Sequence, residues 1–231
     1  DGVWILPKST PIGVDFINLA ELNDTVLDIA VLPNRGDCLS IYGIARECIS
    51  LYGGELSSVD NNIEFSHKKS NITLNTRKEI SSFYQATKIS GISGSCETPL
   101  KIQTRLYYSG MRPISWLVDV TNYVMLEFGQ PLHAFDSTNL DTITVDIGND
   151  EEVKLLNEKT VSAKQLPVIR INNSIGAVAG VIGAIGTEVT NVTNEIVLES
   201  AIFDAIKTRQ ATKKLGVRTE SSNRFEKGRD R

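Results

Sequence analysis

The sequence predicts an α+β fold, in which mixed β-sheets pack against helices in layers and form a single main domain. Of the 231 residues, 41% are apolar, which is enough for a full hydrophobic core. Helix-like segments with start and stop signals occupy much of the chain up to residue 128, whereas short β-rich runs separated by Gly and Asn occupy residues 142–200.

The first twenty residues are predicted to be extended, with turn signals at Pro7, Pro11 and Gly13. The chain starts without an initiator methionine, so we expect a fragment of a longer protein. A β-rich run at residues 26–31 follows and is predicted to be a strand.

Four helices are predicted from the residues at their ends. A capping side chain marks the start of the first three, once with proline after it, and glycine marks each end. The expected ranges are about 39–52 after Asp37 and before Gly53, about 99–109 after Thr98 and before Gly110, 116–128 between Ser115 and Gly129, and 204–215 before Gly216.

Strand-like runs are predicted at residues 63–65, 72–74, 168–171, 177–182 and 196–200. The glycine-rich segment 176–186 matches neither of the glycine motifs that bind phosphate groups. Its glycines are expected to permit close backbone packing or the approach of a ligand. The segment 218–228, rich in hydroxyl and guanidinium groups, is expected to be a loop.

Composition and charge narrow the class of protein. No apolar run approaches the roughly 18 to 20 residues of a membrane span, so we expect a soluble cytoplasmic protein with no membrane partner. Cys38, Cys48 and Cys96 lack paired spacing and are expected to be buried thiols, not a metal site. The net charge is −4, which argues against a general nucleic-acid coat.

The charge is unevenly distributed. Residues 204–231 carry nine Lys or Arg against four Asp or Glu, a net charge of +5. This end of the chain is either a local patch for phosphate or a solvated basic helix and tail.

The most informative segment is residues 112–136, which sets directional polar groups among large apolar side chains. The polar groups are Arg112, Thr121, Asn122 and His133. Such groups need hydrogen-bond partners when they are buried, and a site for a polar ligand would supply them. His133 follows a predicted helix in a Gly/Pro segment that would present it to a ligand, although a lone histidine is more often a structural hydrogen-bonding group.

Helical spacing gives the predicted helix 116–128 a core face. That face consists of Trp116, Val120, Tyr123 and Val124. Thr121 and Asn122 would then point into a cleft beside the core.

Glu199 interrupts the apolar run 196–201, where a carboxylate is costly unless it has a partner. Strand alternation places it on one face with Val197 and Ala201. That face is either directed into a site or exposed to solvent, and both interpretations remain open at this point.

Four blocks of the sequence carry a family resemblance. They are LPNRGDCLSIYGIARE (32–47), VDVTNYVMLEFGQPLHAFD (118–136), AGVIGAIG with IVLESAIFD (within 179–204), and TKKLGVRTESSNRFEKGRD (212–230). In their order and content they resemble the beta subunit of bacterial-type phenylalanyl-tRNA synthetases, over nearly the whole chain.

The resemblance implies that residues 21–231 form the editing domain of that subunit and that residues 1–20 are a remnant of the preceding region. In this family the domain hydrolyses tyrosine from mischarged tRNA(Phe) without a cofactor of its own. The parent enzyme uses ATP and Mg, binds tRNA(Phe), and joins two beta subunits to two alpha subunits that carry out aminoacylation. The fragment is therefore not expected to make Phe-tRNA.

The resemblance also implies roles for individual residues. Positions lining the family's editing pocket match Arg112, Thr121, Asn122 and His133, and positions on the facing elements match Gly183, Glu199 and Thr219. We expect Thr121, Asn122 and His133 to fix the ester and the attacking water, with His133 either a general base or a hydrogen-bonding group. We expect Glu199 to accept a hydrogen bond from the tyrosine hydroxyl.

The sequence departs from the family pattern near this pocket. Ala184 and Glu188 replace glycines, and Ser221 and Asn223 stand where alanine and histidine are common. Ser221 adds a hydroxyl group beside the pocket, and we expect it to be one of the residues that bind the substrate.

Editing is the favoured function on chemical grounds. A synthetic pocket shaped for phenylalanine rejects a near-isostere with an added hydroxyl poorly, so a second site that requires the hydroxyl is an efficient correction. The alternative is a non-catalytic tRNA-docking or subunit-scaffold module with a degenerate pocket, and a free-standing deacylase is a third possibility. Release of tyrosine from Tyr-tRNA(Phe) distinguishes editing from a scaffold.

Overall fold

The computed structural model describes residue 4 and residues 6–57 and 69–228. The predicted strand at 63–65 lies outside this part of the chain. The helices are α1 (Phe16–Leu19), α2 (Ile41–Tyr52), α3 (Leu100–Tyr108), α4 (Trp116–Phe128), α5 (Ala205–Leu215) and α6 (Glu220–Glu226), with a 3₁₀ helix at Gly36–Cys38. The strands are β1 (Thr73–Thr76), β2 (Ser81–Ser90), β3 (Leu132–Asp136), β4 (Thr142–Ile147), β5 (Glu152–Lys154), β6 (Thr160–Ser162), β7 (Pro167–Ile171), β8 (Ser174–Val178), β9 (Ile182–Gly183) and β10 (Glu195–Phe203).

Mixed sheets together with helices confirm the predicted α+β fold. A five-stranded sheet has the order β1-β4-β7-β8-β9, in which β1 and β4 are parallel and the other neighbours are antiparallel. A three-stranded antiparallel sheet has the order β2-β10-β3, and β5 and β6 form a separate hairpin.

The two larger sheets pack face to face around the main core. Ile143 and Ile169 of the five-stranded sheet meet Phe135 and Val197 of the three-stranded sheet in one buried cluster. The opposite face of the five-stranded sheet packs on α5 and the β5–β6 hairpin. On the outer side of the three-stranded sheet, α4 packs through Leu117. The layers are therefore α4, the smaller sheet, the larger sheet, and α5 with the hairpin.

The predicted helix boundaries are confirmed most closely for α4 and α5. α4 begins after Ser115 and ends at Gly129, which adopts φ +77°. α5 begins after Asp204, whose carboxylate accepts a hydrogen bond from a backbone N–H of the first turn, and ends at Gly216. No helix in residues 6–57 and 69–228 is long and apolar enough to cross a membrane.

Two predictions for the first fifty residues are wrong. Residues 26–31 do not form a strand, because no described segment pairs with them, and Val26, Leu27 and Ile29 are exposed. Asp37 does not cap α2, because it lies in the 3₁₀ helix; Ser40 caps α2 instead by accepting a hydrogen bond from the first turn.

The cysteines are not the buried thiols that we predicted. Cys48 and Cys96 are exposed and Cys38 is half-buried. Cys48 lies on the solvent side of α2 and Cys96 in the loop before α3, so neither side chain reaches the core.

The segment 218–228 is a helix over most of its length, not the predicted loop. Thr219 caps α6 through reciprocal hydrogen bonds with Ser222. Arg224 is buried and its Nε donates to Leu39 O at 3.1 Å. Since Leu39 belongs to the first sequence block and Arg224 to the last, the two blocks pack together and hold α6 in place.

The basic charge near the C-terminus lies largely on α5. Arg209, Lys213 and Lys214 are exposed on this helix, whereas Ala211 and Thr212 are buried. The helix therefore has one basic surface, which fits a phosphate patch and a solvated helix equally well.

Candidate functional site

A cavity of about 60 Å³ lies between the two larger sheets, with α6 closing one side. Its polar side chains are His133, Glu199 and Ser221, and the remaining wall is formed by apolar residues and glycines that include Gly183. A few polar groups in a largely apolar wall are typical of a ligand site. The cavity thus brings together four of the eight predicted site residues.

Strand pairing places Glu199 beside His133. β10 and β3 are antiparallel, and the two residues lie directly opposite each other in the register. Such pairs have Cβ atoms about 4.5 to 5.5 Å apart. Glu199 is 6% exposed, with Val197 and Ala201 at 0% and 1% on the same strand. The predicted inward face of β10 is confirmed, and the solvent-exposed alternative is wrong.

Glu199 accepts one hydrogen bond from the protein. Tyr84 Oη, on the neighbouring strand β2, donates to Glu199 Oε2 at 2.6 Å. No described residue donates to Oε1, and Glu199 lines the cavity. Burial raises the pKa of Glu199 to about 7, and the hydrogen bond from Tyr84 offsets part of that rise. One carboxylate oxygen is therefore held, and the other is left to a ligand.

His133 lies in strand β3, not in the loop that the Gly/Pro sequence suggested. Its ring meets Phe135 edge-on, with the ring centroids 4.4 Å apart. Burial lowers the pKa of His133 to about 4, so the imidazole is neutral at pH 7. A neutral imidazole offers one donor and one acceptor, and no described residue hydrogen-bonds to either nitrogen. It can therefore orient a water molecule or a carbonyl group.

Glycine at position 183 keeps the cavity open. A Cβ atom there would lie 2.8 Å from Leu156 Cδ1 and 3.1 Å from His133 Cε1. Leu156 N donates to Gly183 O at 3.0 Å, which ties the β5–β6 hairpin to this wall. Gly180 adopts φ +69°, and a Cβ there would lie 3.0 Å from the Phe203 ring. Close packing at the glycine-rich segment is thus confirmed at both positions.

Two of the predicted site residues, Thr219 and Ser221, lie at the start of α6; Ser221 lines the cavity and Thr219 does not. Ser221 Oγ lies 3.7 Å from Met125 Sδ on α4. Thr219 Oγ1 donates to Val181 O at 2.8 Å while its backbone starts the helix. Thr219 therefore fixes α6 to the cavity wall, where Val181 lies.

The predicted core face of α4 is wrong. The buried residues of the helix are Leu117, Asp119, Thr121 and Met125, not Trp116, Val120, Tyr123 and Val124. The helix is apolar on most sides, because it packs between the smaller sheet and other helices, so its apolar spacing did not define one stripe.

The polar residues of α4 and of the loop before it do not line the cavity. Thr121 is buried and its Oγ1 donates to Val118 O at 2.7 Å. Asn122 is half-buried and Arg112 is exposed. Their predicted contacts with the ester end of a substrate stay predictions.

Sequence reasoning missed Tyr84. It lies 115 residues before Glu199, so no motif or helical spacing connects the two. The available clue was a strand signal at β2, since residues 81–90 contain two aromatic and two β-branched residues without Gly or Pro.

A metal centre is not evident in the described part of the chain. No group of three or more His, Cys, Asp or Glu side chains is placed there to hold an ion. At the cavity the potential ligands are His133 and Glu199, which is fewer than a protein metal site commonly uses.

The chain belongs to the B3/4 domain family. The match to this family covers residues 80–231, a range that includes every residue lining the cavity. The family assignment thus falls on the part of the fold that builds the candidate site.

Over its full length the chain is similar to phenylalanine–tRNA ligase beta subunits, which confirms the resemblance. It is 37% identical over 238 residues to the subunit of Bacillus cereus, covering 100% of this chain and 29% of that protein. It is 39% identical to the subunit of Psychrobacter arcticus, with 100% and 30% covered, and 35% identical to that of Carboxydothermus hydrogenoformans, with 99% and 29% covered. The chain therefore spans about 30% of the length of these curated relatives.

A crystal structure is also similar in part. It is an N-terminal fragment of the phenylalanyl-tRNA synthetase beta subunit from Pyrococcus horikoshii, with 16% identity and a TM-score of 0.44. The match covers 73% of this chain and 53% of that fragment. This TM-score is too low to establish a common fold.

Proposed function

We propose that this chain is the editing domain of a phenylalanine–tRNA ligase beta subunit and that its cavity hydrolyses tyrosine from mischarged tRNA(Phe). Membership of the B3/4 family and similarity to the named beta subunits support the place in this enzyme. The observation that carries the editing role is Glu199: a buried carboxylate beside a cavity, with one oxygen held by the protein and one without a described donor.

Glu199 gives the cavity its preference for tyrosine over phenylalanine. Tyrosine differs from phenylalanine by one hydroxyl group, and this hydroxyl donates a hydrogen bond to the Glu199 carboxylate. A hydrogen bond to a charged group contributes about 1.5 to 3 kcal/mol. Phenylalanine in the same place leaves the carboxylate desolvated and unpaired, which adds a further penalty. The contact between Tyr84 and Glu199 shows that a phenol meets this carboxylate at 2.6 Å.

His133 supplies the positioning. It lies next to Glu199 in the sheet, it is neutral at pH 7, and its ring nitrogens have no described partner. In the proposed reaction it orients the aminoacyl ester and the attacking water, so that most of the rate gain comes from geometry. Arg112, Thr121 and Asn122 contact the ester end of the substrate in the proposed reaction. The Thr121 hydroxyl also donates to Val118 O within α4.

The partners follow from the proposed place in the enzyme. The substrate is the aminoacyl end of tRNA(Phe), and the alpha subunit of the ligase carries out aminoacylation. The exposed cations of α5 are proposed to meet the phosphate backbone of the tRNA, in the cytoplasm where the ligase acts.

The test is deacylation of purified Tyr-tRNA(Phe) and Phe-tRNA(Phe) by the ligase assembled with the full-length beta subunit. We expect release of tyrosine to exceed that of phenylalanine in the wild type and Glu199→Gln to lower this preference at least tenfold. Glu195→Gln is the matched control, because Glu195 lies on the same strand but pairs with Lys88 at 2.9 Å outside the cavity.

Two outcomes would reject parts of the proposal. If the wild-type enzyme releases no tyrosine above background, the domain is a scaffold or docking module. If His133→Ala leaves the rate on Tyr-tRNA(Phe) unchanged, the cavity between the sheets is not the hydrolytic site.

A further inference from the structure

Tyr84 approaches Glu199 from outside the cavity. On β2 it pairs with Ala201, while Glu199 pairs with Ala86 two residues away. Side chains two residues apart on a strand share a face, so Tyr84 and Glu199 are diagonal neighbours on the inner face of the smaller sheet. The phenol reaches Oε2 at 2.6 Å, yet Tyr84 does not line the cavity.

Two other aromatic rings hold Tyr84 in this position, one directly and one through the first. Its ring meets Phe203 of β10 edge-on at 6.4 Å, and Phe203 meets Phe225 of α6 edge-on at 5.1 Å. Phe203 and Phe225 line the cavity and belong to the main core. Edge-to-face contacts of this kind favour one orientation of each ring. The direction of the phenol is therefore set by two other elements of the fold.

We propose that Tyr84 is a positioning residue that determines the preference of the cavity for tyrosine, by holding Glu199 Oε2 so that Oε1 is presented to the hydroxyl of the substrate. This inference rests on the proposed editing function. Without the phenol, the carboxylate is free to rotate, and its two oxygens exchange places at the cavity wall.

Tyr84 also favours the charged form of Glu199. His133 is the titratable group that faces Glu199 from β3, and no Lys or Arg is among the described residues lining the cavity. Tyr84 is the described donor to the carboxylate, and its hydrogen bond lowers the pKa of Glu199 against the effect of burial. Loss of the phenol raises that pKa further, so less of the carboxylate is ionised at pH 7. A neutral carboxyl group forms a weaker hydrogen bond with the substrate hydroxyl than a carboxylate does.

A purely structural role for Tyr84 predicts a different result. The ring is partly buried and packs against the main core, so its complete removal would disturb hydrolysis of both esters by a common factor. Tyr84→Phe keeps the ring and the contact with Phe203 and removes the hydroxyl alone. A selective loss on the tyrosyl ester is then attributable to the hydrogen bond.

The experiment compares three forms of the ligase carrying the full-length beta subunit: wild type, Tyr84→Phe and Tyr108→Phe. Tyr108 is the matched control, because its phenol also makes a 2.6 Å hydrogen bond, to Leu22 O, and neither of these residues lines the cavity. The measured quantity is the ratio of kcat/KM for Tyr-tRNA(Phe) to that for Phe-tRNA(Phe) between pH 5.5 and 9.

We expect Tyr84→Phe to lower this ratio roughly tenfold at pH 7 and to move the pH midpoint of the ratio upward by about one unit. Tyr108→Phe is expected to leave both unchanged. An unchanged ratio and midpoint in Tyr84→Phe, or equal losses on both substrates, would overturn the inference.

A second measurement separates this inference from the proposed function. Infrared difference spectroscopy follows protonation of Glu199 through its carboxyl band, which is identified by its loss in Glu199→Gln. We expect the midpoint of this titration to rise in Tyr84→Phe whether or not the enzyme hydrolyses either ester. A midpoint equal to that of the wild type overturns the positioning role, whereas absence of hydrolysis with a raised midpoint rejects the editing function alone.

Discussion

Two buried carboxylates of this protein have opposite surroundings. Asp119 on α4 is 1% exposed and has a donor on each oxygen: Thr98 Oγ1 on Oδ2 at 2.6 Å and Ile114 N on Oδ1 at 2.8 Å. Glu199 on β10 is 6% exposed and has a described donor on one oxygen only. The first carboxylate ties the loop before α4 to the helix, whereas the second keeps an acceptor beside a cavity.

The number of hydrogen-bond donors around a buried carboxylate therefore indicates whether it stabilises the fold or is available to a ligand. A buried carboxylate with both oxygens satisfied contributes to stability, and its removal leaves donors unpaired. A buried carboxylate with a free oxygen is destabilising in the ligand-free protein, and a ligand that donates to it recovers that cost.

Asp119→Ala is expected to lower the free energy of unfolding by about 4 kcal/mol, because the Thr98 hydroxyl and the Ile114 N–H both lose a charged acceptor. Denaturant unfolding measures this change. Asp141→Ala, at an exposed position, serves as the control and should change the stability by less than about 0.5 kcal/mol. A similarly small effect of Asp119→Ala would show that the two carboxylates do not differ as described.

Glu199 is expected to make the protein less stable as pH rises. Its pKa of about 7 in the folded protein lies above the usual 4.5, so the folded state binds the extra proton between these values. The stability from the neutral carboxyl is therefore complete below pH 4.5 and is lost as pH rises to 7, by about 3 kcal/mol. His133, with its pKa lowered to about 4, acts in the opposite direction between pH 4 and 6.5.

The measurement must therefore isolate Glu199 from His133. The difference in free energy of unfolding between the wild type and Glu199→Gln cancels the histidine contribution, and we expect this difference to fall as pH rises from 4.5 to 7. A difference that stays constant over this range would mean that the pKa of Glu199 is the same in the folded and unfolded protein, contrary to this prediction.

Gly183→Ala is expected to give the smallest effect, a loss of roughly threefold in kcat/KM for Tyr-tRNA(Phe) and less than about 1 kcal/mol of stability. The added Cβ meets the flexible end of Leu156, which is 44% exposed and can move, but it also meets His133. The double variant Gly183→Ala, Leu156→Ala removes the first contact. If the double variant fully restores the rate, the contact with His133 has no role in the loss.

Much of the fold was predictable where local chemistry defines it. Gly129 and Gly216 end α4 and α5 in the left-handed conformation, and Asp204 caps α5, because such end signals act within a few residues. The strand predicted at residues 26–31 failed because a strand needs a neighbour, which local sequence does not reveal. α6 was missed because its short polar sequence lacks an apolar period, and packing of the buried Arg224 stabilises it instead.

For the candidate site, too, local features of the sequence were predictable and contacts between distant segments were not. Alternation along β10 placed Glu199 on one face with Val197 and Ala201, but it left open whether that face points inward or to solvent. The position of His133 opposite it depends on the register between β3 and β10, and that of Tyr84 on the register between β2 and β10. A strand register joins residues that lie far apart in sequence. The sequence therefore indicated Glu199 and His133 as candidates, but it did not show that they lie side by side or that Tyr84 contacts Glu199.

Recognition of a tyrosyl ester by Glu199 between the two sheets is open to direct observation in a structure of the protein with a non-hydrolysable tyrosyl-adenosine analogue. We predict the phenol oxygen of the analogue within about 3 Å of Glu199 Oε1, with Tyr84 still donating to Oε2. If the analogue binds with its phenol away from Glu199, or outside the cavity, Glu199 does not recognise the tyrosine hydroxyl.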